Sequence, residues 1–142
     1  MSLYGERLAK LKRESSQIKA NLRKGRKLKP NQQIAFDFVH GVTENALFSL
    51  GDITVTLKVG DEKKGFMHIL LEHYCRGCKG EISTKDILNL SNIIEHGLKL
   101  SKHGVTNGAL VVYQSFKGQS RHKIVLKPEG DNNFIVTLYS VD

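Results

Sequence analysis

Two histidines five residues apart, His68 and His73, are the groups in this chain best suited by type to proton transfer. A histidine changes charge near neutral pH, so one held beside a scissile bond can act as general acid or base. His68 stands four residues before Glu72, a spacing at which a helix brings an imidazole and a carboxylate side by side. On an unbroken helix His68 and His73 point about 140° apart, which predicts that a small substrate meets only one of them. His40, His96 and His103 fall at element ends or in loops and receive no role.

Cys75 and Cys78 are the chain's two cysteines, in the run Cys75-Arg76-Gly77-Cys78. A zinc knuckle or a redox pair would use such spacing, but a structural zinc site usually has four ligands in two spaced pairs, and the second pair here would be histidines at poor helical phase. The expectation is two loop thiols after a helix, with no disulfide framework, no metal and no cofactor.

A second group of chemically able residues lies in three segments of period two, Ala109 to Phe116, Arg121 to Lys127 and Phe134 to Val141. Alternate residues of a strand face opposite ways. One face collects Leu110, Val112, Gln114 and Phe116; His122, Ile124 and Leu126; and Phe134, Val136 and Leu138, which is a core with His122 as a satisfied core or edge histidine. The other collects Val111, Tyr113 and Ser115; Arg121, Lys123 and Val125; and Ile135, Thr137 and Tyr139. That face suits an anionic ligand: Arg offers a planar fork to phosphate, Lys a point charge, Tyr a stacking plane, Ser and Thr short hydrogen bonds. Solvent faces of antiparallel sheets often have the same composition for solubility alone.

The elements that must position these groups follow from periodicity. Tyr4, Leu8, Leu11, Ser15, Ile18 and Leu22 form one stripe of a basic amphipathic helix ending near Gly25, of the kind that docks on the protein's own core or on another helix. Ile34, Ala35, Phe38, Val39 and Val42 predict a second short helix. Ala46 to Leu50 and Ile53 to Val59 flank Gly51-Asp52 as a hairpin. Lys63 to Tyr74 reads as a compact helix burying Phe66, Met67, Leu70, Leu71 and Tyr74. Ser83 to Gly97 reads as another, opened by a near capping box of Ser83 and Asp86. The stretch from Gly97 to Gly108 reads as irregular, and the closing three strands as an antiparallel meander. Helices first and a meander last predict an α+β domain with helices on one sheet face.

The net charge of +8 is unevenly spread: residues 1–30 hold ten Lys and Arg against two acids, whereas residues 31–142 balance twelve against twelve. The basicity therefore belongs to a helical extension, 1–30, placed before an α+β domain at 31–142. No apolar run approaches the roughly 18 residues of a membrane span, and the N-terminus lacks a classical signal peptide, so a cytoplasmic site of action and no membrane partner are expected.

The run from Gly65 to His73, Gly-Phe-Met-His-Ile-Leu-Leu-Glu-His, followed by a helix ending in Gly97 and a last strand bearing Thr137-Leu138-Tyr139, resembles the barnase, EndoU, colicin and RelE-like nuclease superfamily in its phage-associated or polymorphic-toxin branch. The resemblance covers roughly residues 45 to 142 and implies a barnase-like fold. It implies a toxin-type, metal-independent endoribonuclease cleaving RNA by attack of the ribose 2′-hydroxyl on the adjacent phosphate, leaving a 2′,3′-cyclic phosphate. It further implies catalytic roles for His68, His73, Arg121, Lys123, Thr137 and Tyr139, RNA as partner, and an acidic immunity or antitoxin protein over the cationic face; Tyr113 and Ser115, which the strand alternation sets on that face, are expected to bind substrate. The rival reading is a non-catalytic phage or mobile-element adaptor whose basic N-terminal helix docks a partner or a larger delivery protein. A third is a simple RNA-binding protein.

Overall fold

The fold was obtained as a computed structural model, and the residues described are 2–78, 80–99, 103–106, 109–115 and 121–141. The chain forms α1 (Leu3–Ala20), α2 (Pro30–Val39), β1 (Ala46–Leu50), β2 (Ile53–Leu57), α3 (Gly65–Glu72), α4 (Thr84–Leu88), α5 (Leu90–Lys99), β3 (His103–Thr106), β4 (Ala109–Ser115), β5 (Arg121–Pro128) and β6 (Asn133–Val141). The class is α+β, as the order of periodicities predicts.

The six described strands join one mixed sheet in the order β1-β2-β6-β5-β4-β3. The hairpin β1–β2 and the meander β3–β6 are antiparallel, and they are joined by a parallel pairing of β2 with β6, where Val55 stands opposite Phe134. This parallel pairing lies beyond a reading based on local periodicity, because its partners are far apart in sequence. The core lies between the sheet and the helices, with Phe48, Val55, Leu57, Val112, Ile124, Leu126, Val136 and Tyr139 on the sheet side and Leu11, Phe38, Phe66, Leu70 and Ile94 on the helix side.

α1 begins with Ser2, whose side chain accepts from the Gly5 N–H. Its apolar stripe is spent inside the molecule: Leu11 and Ser15 are buried, and Tyr4, Leu8 and Ile18 pack against the core. α1 also makes polar contacts with the rest of the chain. Arg7 donates through Nη1 to the Leu70 carbonyl at 2.7 Å and to the Leu71 carbonyl, covering acceptors that the end of α3 leaves unpaired. Glu14 accepts from Thr84 Oγ1 at 2.7 Å, and Thr84 lies 2.6 Å from the Tyr74 hydroxyl. Burial pushes Tyr74 up to about 12, with the nearby Glu14 charge adding to the effect and the Thr84 bond opposing it. The basic extension thus grips both flanks of His73.

Several local expectations are modified. α2 ends at Val39, so Val42 is exposed at 71% instead of buried. The single helix expected from Ser83 is two: the capping box forms, with Ser83 accepting from the Asp86 N–H and Asp86 accepting from the Ser83 N–H, but Asn89 leaves helical geometry and α5 starts anew. β3 occupies part of the stretch read as irregular. Phe116 lies outside the described residues.

Candidate functional site

The strands place the cations first. Along β5, Arg121, Lys123 and Lys127 are exposed and alternate with buried His122, Ile124 and Leu126, so the predicted parity holds through the whole strand. The packed helices contribute to the opposite face, whose buried residues form the core. Tyr113 and Ser115 pair in register with Lys123 and Arg121; their side chains lie outside the described residues.

In β6 the predicted parity fails halfway. Val125 of β5 pairs with Leu138 while Leu126 pairs with Val136, which leaves Thr137 as an extra residue in the ladder. Such a bulge reverses the facing of everything after it. Tyr139, expected beside the cations, is instead fully buried on the core face, and Leu138, expected in the core, is 38% exposed. Tyr139 Oη lies 3.1 Å from His122 Nδ1. Burial pushes the Tyr139 phenol well above its ordinary value and His122 below its own, with the Asp86 charge raising both, so the pair is held neutral in the core. Thr137 itself donates from Oγ1 to the Val125 carbonyl at 3.1 Å, supplying the unpaired ladder with a bond.

The histidines also depart from the simple helical expectation. α3 stops at Glu72, and His73 takes φ −127° and ψ −17° as its cap, which swings the side chain out of helical phase. The rings of His68 and His73 consequently meet edge to face, 5.4 Å between centroids, where an unbroken helix would have separated them. His68 does not pair with Glu72. Its Nδ1 lies 2.8 Å from the Glu62 carbonyl, and because a carbonyl only accepts, Nδ1 carries the hydrogen and Nε2 of the neutral ring keeps a lone pair.

α3 packs along β6. At its start, Gly65 shares a cleft with Thr137; beyond its end, the loop that follows His73 closes on the last residues of β6. There the Val141 N–H donates to the Gly80 carbonyl, and Gly80, at φ +64°, lies so near Ser140 and Val141 that a Cβ would sit 2.9 Å from Ser140 Cβ. Ser140 pairs with Lys123, and Val141 with His122 beside Arg121. The loop after His73 therefore reaches, at Gly80, the end of β6 that pairs with the start of β5, while the Arg121 and Lys123 side chains project from the sheet face opposite the helices.

Thr137 belongs to the other end of α3. It lines a cleft of about 310 Å3 with Lys58, Gly60, Lys64, Gly65, Lys127, Pro128, Glu129, Ile135 and Val136, and neither His68 nor Arg121 is among these lining residues. Lys58, Lys64 and Lys127 escape sequence reasoning because only the parallel β2–β6 pairing brings them together.

Cys75 and Cys78 are joined as a disulfide in the loop after His73, not separate thiols. Among the described residues, no group of three or more His, Cys, Asp or Glu is arranged to hold a metal ion, and no helix is long and apolar enough to cross a membrane. No family model matches the chain, and no curated protein or solved structure matches it.

Proposed function

We propose that the protein is a metal-independent endoribonuclease that cleaves RNA by transesterification to a 2′,3′-cyclic phosphate, with the histidine pair doing the proton transfers. The observation that carries this reading is the meeting of His68 and His73 at 5.4 Å, with His68 fixed in the tautomer that leaves Nε2 able to accept a proton. In this scheme His68 Nε2 takes the 2′-hydroxyl proton, the 2′-oxygen bonds to phosphorus, and the bond from phosphorus to the 5′-oxygen breaks. Protonated His73 gives that leaving oxygen its proton. Arg121 and Lys123 project from the sheet face opposite the helices, and in this scheme they hold neighbouring phosphates of the same strand. Tyr139 takes no part, because it lies in the core.

The superfamily resemblance of the Gly65–His73 run supports the same chemistry and a barnase-like ancestry. The exposed cations of β5 suit RNA, and an acidic inhibitor protein would find the same charges. The adaptor alternative loses its main support, since the apolar stripe of α1 is already occupied by the protein's own core.

The test is incubation with a uridine- and adenosine-containing RNA and with the matching DNA in excess chelator. RNA-only cleavage with cyclic phosphate ends is expected, and a fall of about a hundredfold or more in His68→Gln, since general acid or base groups contribute roughly 10²–10⁴ in rate. Intact RNA with a folded protein would overturn the proposal.

A further inference from the structure

The cleft at the start of α3 has the character of a ligand site in its own right. Three ammonium groups line it, Lys58, Lys64 and Lys127, against the single carboxylate of Glu129, which Lys58 engages at 3.8 Å. Its remaining walls are Pro128, Ile135 and Val136, and the two glycines Gly60 and Gly65 present backbone without side chains. Gly60, at φ +68°, closes the loop so tightly that a Cβ would collide with the Lys64 carbonyl oxygen, so the turn that brings Lys58 and Lys64 to the same cleft is built into the backbone. At about 310 Å3 the volume reaches the lower end of the range of small-ligand pockets, roughly 300–1,000 Å3.

The cleft is also connected to the proposed reaction centre. Lys127 is the last member of the exposed row Arg121, Lys123, Lys127 on β5, a row of about 20 Å at the rise of an extended strand. Its other end lies where the loop after His73 closes on β6. A flexible polyanion engaged at Arg121 and Lys123 would thus be led along β5 to the cleft.

We infer that this cleft is a distal phosphate subsite for single-stranded RNA, in which Lys64 and Lys127 hold a backbone phosphate of the strand and Pro128 and Ile135 give the adjoining nucleoside an apolar wall. The inference rests on the RNA reading of the same face. It makes the protein an enzyme that grips a strand of several nucleotides and not only the scissile dinucleotide.

The probe is an eight-nucleotide single-stranded DNA, which lacks the 2′-hydroxyl and survives the assay, titrated at several salt concentrations against the wild type, a Lys64→Ala/Lys127→Ala double variant and a Lys85→Ala control on α4. Both cleft lysines are exposed, so the fold tolerates their loss. The double variant is expected to bind about tenfold more weakly at low salt, with a log–log salt slope smaller by about 0.7 for each phosphate it no longer neutralises. Lys85→Ala keeps the wild-type slope, and cleavage of a dinucleotide by the double variant stays at wild-type rate. An unchanged slope in the double variant, or an equal loss in Lys85→Ala, overturns the subsite. The two readings separate cleanly: a protein that cleaves no RNA but shows the selective slope change retains the subsite and loses the nuclease, and one that cleaves with no slope change does the reverse.

Discussion

Tyr139 Oη and His122 Nδ1 lie 3.1 Å apart on the helix-covered side of the sheet, and both residues are buried. Tyr139→Phe keeps the ring and deletes this bond to a buried imidazole nitrogen, at a cost of about 1–3 kcal/mol. The urea midpoint should fall accordingly while RNA cleavage per folded molecule is unchanged. Loss of cleavage in a stable Tyr139→Phe protein would place the phenol in the reaction after all.

The same pair gives stability a dependence on pH. Burial lowers the folded-state value of His122 below the ordinary 6.5, against an opposing pull from Asp86, and His40 is likewise lowered, chiefly by burial with Lys12 adding. A histidine lowered in the folded state binds its proton more readily in the unfolded one. Its stabilising contribution is therefore complete above about pH 6.5 and is lost as pH falls below that, toward the folded-state value. Denaturation midpoints measured from pH 7.5 to 5 should decline, and ring-proton shifts should show His122 titrating below the ordinary range; titration at or above it contradicts the assignment.

α1 is predicted to be inseparable from the domain it precedes. Leu11 is fully buried, so Leu11→Ala should cost about 2–5 kcal/mol. Arg7→Ala should cost less, about 1–2 kcal/mol, by uncovering the carbonyls at the end of α3. It should also raise amide exchange at Leu70 to Tyr74 and weaken RNA cleavage, because the geometry of His73 depends on that helix end. Wild-type exchange protection there in Arg7→Ala would sever α1 from the site.

The glycine at position 60 offers a test of the loop between β2 and α3. Its left-handed backbone and the contact with the Lys64 carbonyl leave no room for a methyl group, so Gly60→Ala should destabilise by about 1–3 kcal/mol from backbone strain alone. Oligonucleotide affinity should fall with it. A variant of unchanged melting temperature would show that the loop does not hold this form in solution.

Much of the architecture could be read from local pattern: the stripe of α1, the hairpin at Gly51-Asp52, the capping box at Ser83 and the alternation of β5 all stand as spacing predicts. The failures at the candidate site share a physical origin, a single residue or a single pairing that period cannot register. Thr137 as an extra residue reverses Tyr139 and Leu138; the cap geometry of His73 turns a predicted separation from His68 into contact; the parallel register of β2 on β6 brings Lys58 and Lys64, on one connection, to Lys127 of a distant strand. Arg121 and Lys123 were recoverable because their strand is regular. Lys58, Lys64 and Lys127 were not, because nothing in sequence marks which strands neighbour each other.

The histidine pair is tested most directly by the rate of RNA cleavage in excess chelator by wild type, His68→Gln and His73→Gln, with product ends resolved by mass. Cleavage of RNA but not DNA, cyclic phosphate on the products, and a loss of about a hundredfold or more in each variant is the predicted result. Full activity in both folded variants, or no cleavage of RNA by the folded wild type, contradicts it.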